Sequence, residues 1–596
     1  MQPATASSAP AEIRLAVLDG AIRLVGDPAP FRARLTSRAV EPGLVEVVLE
    51  LSADAPAVPP PMTLVLARPL VDAAIFWSSA AGREKRIGTD WSPSRVNASA
   101  TLEAPVVCVI GADGGSRLCL ALDDALDPCE LAVGAVEETG MLDARVRLFP
   151  TPRPAATAFR SVLRLDARAQ RYEQALAAVA AWWAAMPGYA PCAVPDLGRL
   201  PMYSTWYSFH QSLDVDAVVR ECVVAKGMGC EAVIVDDGWQ TLDGNRGYAF
   251  CGDWLPERIA DMRGFVDRVH GAGLKFLLWY SVPFVGEKSA AWARFSGKLL
   301  RRIPSLGCGV LDPRHPDVRE YLIQTYERAM RDWDLDGFKL DFVDNFAPTA
   351  EMAIGAVDGR DIASVSAAAD VLLASVLERL RAINPDVLIE FRQSYTGPLM
   401  RRYGNLFRAG DCPADHVRNR LASIDVRLLA GRTAVHGDML MWHVDDPVES
   451  AALQLLAVLF AVPQISVLLE RVPQAHRAML THWLGFWRAH RACLLDGELR
   501  AQSPELNYPL VAATNADEHI AAAYADVVVA VADRAVIAVV NATRGARLVI
   551  ETPDLGERRV RVSDCQGRVV RDARVRLGSG VHRMDVPAAG SITIER

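Results

Sequence analysis

Ala232-Val233-Ile234-Val235-Asp236-Asp237-Gly238-Trp239-Gln240 is the stretch whose reading decides the fold. An apolar, β-branched run of strand length stops abruptly at two acids, a glycine and an indole. Before it, Asp214–Lys226 reads as an amphipathic helix that opens on an Asp cap and closes at Gly227. After it the same rhythm of strand, loop and helix returns. The candidate strands are Met202–Trp206, Ala232–Asp236, Lys275–Trp279, Gly337–Asp341, Val387–Phe391, Asn405–Ala409, Ala434–Leu440 and Gln464–Leu468. Amphipathic stretches such as Asp317–Asp332, after Pro316, lie between most of them. Alternating βα units imply a parallel sheet, and eight of them in about 300 residues imply a (β/α)8 barrel.

Outward from the barrel the pattern becomes β. Leu44–Leu51, Met62–Leu66 and Val106–Ile110 are strand-length apolar runs, followed by a helix over about Arg171–Ala185 and a boundary at Pro187-Gly188-Tyr189-Ala190-Pro191. Beyond about Leu495, Val527–Val531 and Val536–Val540 are apolar strands, and Arg559-Val560-Arg561-Val562 alternates as a half-exposed strand does. The predicted fold class is multidomain α/β: an N-terminal β-sandwich with its linking helix (1–190), a central (β/α)8 TIM barrel (191–495) and a small C-terminal β-sandwich (496–596).

The 596 residues leave room for this organisation, and 51% apolar with 23% charged residues is ordinary globular usage. A net charge of −8 lacks the basic footprint of a nucleic-acid or membrane-surface binder, so neither partner is expected. The longest apolar stretch, Ala451–Leu469, is interrupted by Gln454, Pro463 and Gln464 and reads as a buried helix followed by a buried strand rather than a membrane span. Eleven scattered cysteines without a C-x-x-C read as mostly free thiols. The start, Met1–Ser8, shows neither a basic nor an apolar leader region. A cytoplasmic location is therefore expected, although a trimmed secreted chain would read the same.

Active sites of such barrels form at the C-terminal ends of the strands. Here those ends carry Trp206-Tyr207, Asp236-Asp237-Gly238-Trp239, Trp279-Tyr280, Lys339 and Asp341, Glu390-Phe391-Arg392-Gln393, Arg408 with Asp411, and His436 with Asp438. A single Asp at a strand end is often only a cap or turn former, and a Trp is often plain core. Acids and aromatics gathered at one rim, however, suit a carbohydrate. Indole faces meet the C–H faces of a sugar ring, and two carboxylates flanking one bond are the general glycosidase design. No nucleotide-binding loop or dedicated metal motif is read, so no cofactor and no metal are expected.

In register, these motifs resemble the α-galactosidase clan of retaining glycoside hydrolases, the melibiase and raffinose-synthase-like family 36. The residues that carry the resemblance are Tyr203-Ser204-Thr205-Trp206, Val235-Asp236-Asp237-Gly238-Trp239-Gln240, Cys251-Gly252-Asp253-Trp254, Leu274–Trp279, Leu311-Asp312-Pro313-Arg314-His315-Pro316-Asp317-Val318-Arg319 and Gly337-Phe338-Lys339-Leu340-Asp341. The resemblance implies an exo-acting retaining α-glycosidase, most simply an α-galactosidase acting on an oligosaccharide or glycoside. It implies Asp341 as nucleophile and Asp411 as acid/base, with Asp415 the less favoured candidate for the acid. Lys339, Asp236 and Asp237 would hold sugar hydroxyls, Asp253 and Trp254 would form a second part of the sugar wall, and Arg408 would orient the acid or a hydroxyl. Trp206, Trp239 and Trp279 complete the expected substrate-binding set. A retaining pair stands about 5–5.5 Å apart. Relatives are often oligomeric, so a homo-oligomer is expected.

One departure bears on the substrate. Where the family has a Cys-Ser-Gly-Gly-Gly-Arg-type loop after the fifth strand, this chain has Glu390-Phe391-Arg392-Gln393-Ser394-Tyr395-Thr396-Gly397-Pro398. Arg392, Gln393 and Tyr395 replace backbone donors on the side that touches the sugar's C2 in relatives. An N-acetylgalactosaminide, a pentopyranoside or a uronide therefore stays open as substrate, as does a transglycosylase. Two readings of a different class remain: a metal-dependent barrel hydrolase using Asp236, Asp341, His436, Asp438 or His443, and a sugar-binding protein without catalysis.

Overall fold

The structure is a computed structural model and describes residues 13–80, 82–349, 352, 355 and 358–596. The reading of Met1–Ser8 lies outside the described residues. Residues 14–166 build a seven-stranded and a six-stranded sheet. Their facing sides close one apolar core, with Ile22, Leu64 and Val133 meeting Val47, Leu120 and Leu165. The strand Val106–Ile110 is buried at every position because both of its faces are covered. Val107 and Val109 point into this sandwich. Val106, Cys108 and Ile110 join the main core together with Leu176, Val179 and Trp183 of the helix Tyr172–Ala184. Period-two alternation thus serves two cores at once.

The central sheet is all parallel. Its strands are β1 (Met202–Ser204), β2 (Ala232–Val235), β3 (Lys275–Ser281), β4 (Gly337–Asp341), β5 (Leu388–Arg392), β6 (Leu406–Arg408), β7 (Ala434–His436) and β8 (Gln464–Ile465). Their order in the sheet is β7-β6-β5-β4-β3-β2-β1-β8, and the bridges His436–Val462 and Leu440–Ile465 join β7 to β8. All eight strands read from the sequence are present, five of them shorter than expected, β5 shifted by one residue and β3 longer. The helix before β2 differs as well. It runs through Gly227 to Met228 and stops at Gly229, whose φ of 102° supplies the left-handed turn that Gly227 was expected to make. The loop after β3 folds into a three-stranded sheet (Phe284–Gly286, Leu299–Ile303, Cys308–Leu311) that sequence periodicity did not announce.

The barrel lumen is layered. At the bottom, Met202, Ala232, Ile234, Leu277, Leu388 and Leu406 form a separate apolar cluster sealed from below by Leu197. Two residues further along the strands the inward side chains turn polar: Lys339 on β4, Glu390 on β5, Arg408 on β6, His436 on β7 and Gln464 on β8. Gln464 Nε2 donates to Glu390 Oε2 and meets His436 Nδ1 at 3.1 Å. β8 lies three strands from β5, so the first contact spans the lumen. This polar layer is the floor of the site.

The remaining chain forms a seven-stranded and a three-stranded sheet. The two apolar runs read there fall in different sheets, Val528–Ala530 in the small one and Val536–Asn541 in the large one. Ala451–Leu469 resolves into the end of the helix Val448–Ala457 and then β8. No helix among the described residues is long and apolar enough to cross a membrane. All eleven cysteines are free thiols, Cys192 half-buried and the rest buried.

Candidate active site

Asp341 ends β4, buried at the top of the lumen. Its Oδ1 accepts from Arg392 Nε at 2.8 Å, from Tyr395 OH at 2.6 Å and from the Phe342 N–H at 2.8 Å. Its Oδ2 accepts one bond, from Trp279 Nε1 at 3.1 Å. Phe342 adopts a left-handed φ of 65°, uncommon for a bulky side chain, and that turn aims its N–H at the preceding carboxylate. Burial alone would raise the Asp341 carboxyl. Arg392, Lys339 and the donated hydrogen bonds outweigh it and hold the group far below the usual carboxylate range.

Lys339, two residues earlier on the same face, reaches across to β2 and ion-pairs with Asp236 Oδ2 at 2.5 Å. Asp237, beside it, accepts from Gln211 Nε2 and Gln240 Nε2, both at 2.7 Å. Burial lifts its carboxyl to about 6. The glycine of Asp236-Asp237-Gly238-Trp239 is required by geometry. At φ 111° a Cβ would stand 2.6 Å from the Gln211 Cα. Trp206 is half-buried at the rim, stacked on His210 with ring centroids 3.9 Å apart.

Arg408 is fully buried, its Nη2 donating to Asp411 Oδ1 at 2.9 Å. The Asp411 side chain is 48% exposed. Burial raises its carboxyl, and Arg408, Lys339 and Arg392 together bring it below its ordinary value despite Asp341. The Gln393 amide orientation is fixed because Oε1 accepts from the Gly410 N–H at 3.1 Å. That leaves Gln393 Nε2 as a buried donor without a protein partner. The residues gathered around the mouth are thus Asp236, Asp237, Trp279, Lys339, Asp341, Arg392, Gln393, Arg408 and Asp411.

A search against family models finds no match. Curated proteins match over short stretches. The A type blood alpha-D-galactosamine galactosaminidase of Flavonifractor plautii is 25% identical over 169 residues, which is 26% of this chain and 15% of that protein. Alpha-galactosidase AgaA of Geobacillus stearothermophilus is 27% identical over 145 residues, 23% of this chain and 20% of that one. The aligned stretches therefore span a fifth or less of these relatives' own length. The whole-chain likeness is structural. A GH36 α-galactosidase AgaA variant from Geobacillus stearothermophilus, solved in complex with raffinose, superposes at TM-score 0.65 and 14% identity over 97% of this chain and 83% of that one. The chain has the fold of the GH36 α-galactosidases.

On this α-galactosidase fold, three expected wall residues sit elsewhere. Trp239 is fully buried, its Nε1 bonded to the Trp279 carbonyl and its ring stacked on Trp254 at 5.9 Å. Trp254 is enclosed by Trp239, Trp279 and Tyr280. These two indoles form a wall behind Trp279 and present no open face. The Asp253 carboxylate accepts the Ala290 and Ala291 N–H groups at 2.7 and 2.8 Å, holding the first turn of the helix Ala290–Phe295. The donors proposed for a metal do not converge either. His436 faces the Gly198 carbonyl at 2.8 Å, Asp438 is taken up by Arg408, and His443 is exposed beside Asp445. Among the described residues, Asp267, His270 and Asp334 alone lie close enough to share a metal ion. They belong to segments that lead into β3 and β4, at the opposite end of the barrel.

Tyr395, Gln211, Gln240 and Asp438 carry more of the site than their sequence positions suggested. Tyr395 was visible as a loop residue. Its bond to Asp341 depends on the path of the chain after β5.

Proposed function

We propose that the chain is a glycoside hydrolase of the α-galactosidase type, exo-acting and retaining, working through a covalent glycosyl-enzyme. The observation that carries this reading is Asp341: a buried carboxylate kept ionised by a guanidinium, a phenol, an indole and a backbone N–H, with Asp411 near enough to feel its charge. Oδ1 is saturated by three donors and Oδ2 receives one, so Oδ2 has the lone pair free to attack. In the first step Oδ2 bonds to the anomeric carbon, the glycosidic C–O bond breaks and Asp411 gives its proton to the leaving oxygen. In the second step Asp411 takes a proton from water, the water oxygen attacks the anomeric carbon and Asp341 leaves. Asp236, Asp237 and Lys339 would receive ring hydroxyls. A sugar ring over Asp411 excludes water from it, which favours the protonated form that the first step needs.

A second reading of the substrate has its own observation. Gln393 offers a buried amide donor with no protein partner, beside Arg392. Such a donor suits an acceptor atom on the sugar that plain galactose need not supply, as in an N-acetylgalactosaminide or a uronide.

The test is a panel of aryl α-glycosides (galactoside, N-acetylgalactosaminide, xyloside, arabinopyranoside, glucoside, glucuronide) with NMR of the first-formed anomer. Retained configuration on one of them is expected. An added sugar acceptor would expose transglycosylation by its product. Asp341→Ala should be inactive and partly rescued by azide with inverted product. Wild type and Asp341→Ala equally inactive throughout, with sugar still bound, would leave a binding protein instead.

A further inference from the structure

Arg408 is one buried cation among three carboxylates. Nη1 donates to Asp438, Nη2 to Asp411 at 2.9 Å, and Nε faces Glu390 Oε1 at 3.4 Å. Asp438 stands in the loop after β7, fully buried, and reaches neither the pocket nor solvent. Its second oxygen accepts from Tyr207 OH at 2.9 Å and from the backbone N–H of Cys412 at 2.7 Å. Its own backbone is held by Asn419, whose Oδ1 accepts the Asp438 N–H at 2.8 Å and whose Nδ2 donates to the Asp438 carbonyl at 2.9 Å. Asp438 therefore touches Asp411 by two separate routes, through the guanidinium they share and through the residue that follows Asp411 in the chain.

We propose that Asp438 is a positioning residue for the acid/base step: it fixes the loop that presents Asp411 and shares Arg408 with it, and so sets how tightly Asp411 holds its proton. The proposal rests on the reading of Asp411 as acid/base. The physical argument concerns shared charge. The other groups that act on Asp411 are Lys339, Arg392 and Asp341, with the Tyr207 hydroxyl also near. A guanidinium engaged by a second carboxylate pulls less strongly on the first, and the second carboxylate also repels the first directly. Both effects favour the protonated form of Asp411, against the pull of Arg408, Lys339 and Arg392. Without the Asp438 charge, Asp411 would lose its proton at lower pH.

Asp438→Asn keeps the shape and one acceptor oxygen and removes the charge. The alkaline limb of its kcat profile should move to lower pH by about one unit. Its loss of kcat should be at least about tenfold larger for an alkyl glycoside, whose leaving oxygen needs the proton, than for a dinitrophenyl glycoside, which needs it least. Tyr207→Phe removes a donor from Asp438 and leaves its charge. Asp438 then leans harder on Arg408, and the limb should move the other way, by a few tenths of a unit. The third measurement is a carbon-13 titration of the Asp411 carboxyl, assigned by its loss in Asp411→Asn, which reads the coupling without turnover. A lower midpoint in Asp438→Asn supports the proposal. Unshifted limbs in both variants, an equal loss on both leaving groups, or an unmoved Asp411 midpoint overturns it. An inactive wild type would instead remove the glycosidase reading on which it rests.

Discussion

Two buried charged clusters in this molecule are built alike and finished differently. One lies where the N-terminal sheets, a barrel helix and the C-terminal region meet. There Asp425, fully buried on the helix His416–Ala430, accepts from Lys85 Nζ at 2.9 Å, from Trp77 Nε1 at 2.8 Å and from Tyr508 OH. No polar side-chain atom of these four residues lacks a partner. The other is the barrel mouth, where Gln393 Nε2 is buried without a hydrogen bond and Asp411 is half-exposed. A closed cluster contributes to holding three parts of the chain together. An open one keeps bonding capacity in reserve, and a buried polar group left in that state has to be explained by something that arrives later.

The contrast can be broken by experiment. The largest expected effect is Asp341→Ala at the open cluster: kcat down by roughly 10⁴-fold or more, measured on the best aryl glycoside. Its melting temperature should fall less than that of Asp425→Asn. Asp425→Asn, at the closed cluster, should cost about 3–5 kcal/mol in denaturant unfolding, because Lys85 loses its buried partner, with kcat per folded molecule unchanged. If Asp425→Asn instead lost activity without losing stability, the division between the two clusters would be wrong.

Asp237 gives a smaller, pH-dependent effect. Burial lifts its folded carboxyl to about 6, above the ordinary carboxylate value. The stability it contributes is complete below that ordinary value and is lost as pH rises through about 6. The stability difference between wild type and Asp237→Asn should therefore move in favour of the variant between pH 4 and pH 7, whatever constant penalty the amide brings. A difference independent of pH would show that Asp237 titrates normally. The smallest effect belongs to Asp253→Ala: about 1 kcal/mol from two first-turn N–H groups left without their acceptor while the Ser289 cap remains, with KM unchanged. A large rise in KM would return Asp253 to the sugar wall.

The barrel was legible because it rests on a repeat. Each strand is a short apolar run bounded by a turn or an acid, and eight such runs leave one architecture. The alternation along β4 also placed Lys339 and Asp341 on the same side before any coordinates. Partners were less legible than positions. Asp236 and Lys339 were each expected to hold sugar hydroxyls, and nothing in the sequence showed that they pair with each other across 103 residues of chain. Trp239 follows the end of β2, Trp254 lies in the loop beyond it and Trp279 stands on β3, and nothing in their spacing tells which indole faces the lumen. That is settled by the mutual packing of three large rings. Asp438 looked like a stray ligand on β7 because its partner Arg408 lies thirty residues earlier. Gly227 looked like a helix stop because glycine often is one. Gly229, two residues on, is the one that takes the left-handed turn.

The Asp425 junction also bears on how the protein is made. Trp77 Nε1 donates to Tyr508 OH at 3.1 Å across 431 residues, and the Tyr172 hydroxyl donates to the carbonyl of Ala501 across 329. On a ribosome the first sheets emerge long before residues 501 and 508 exist. Until then Trp77, Lys85 and Tyr172 stand uncovered, an apolar and charged seam waiting for the far end of the chain. The nascent protein spends most of its synthesis with its future keystone open, and that interval is when a chaperone would have the most to shield.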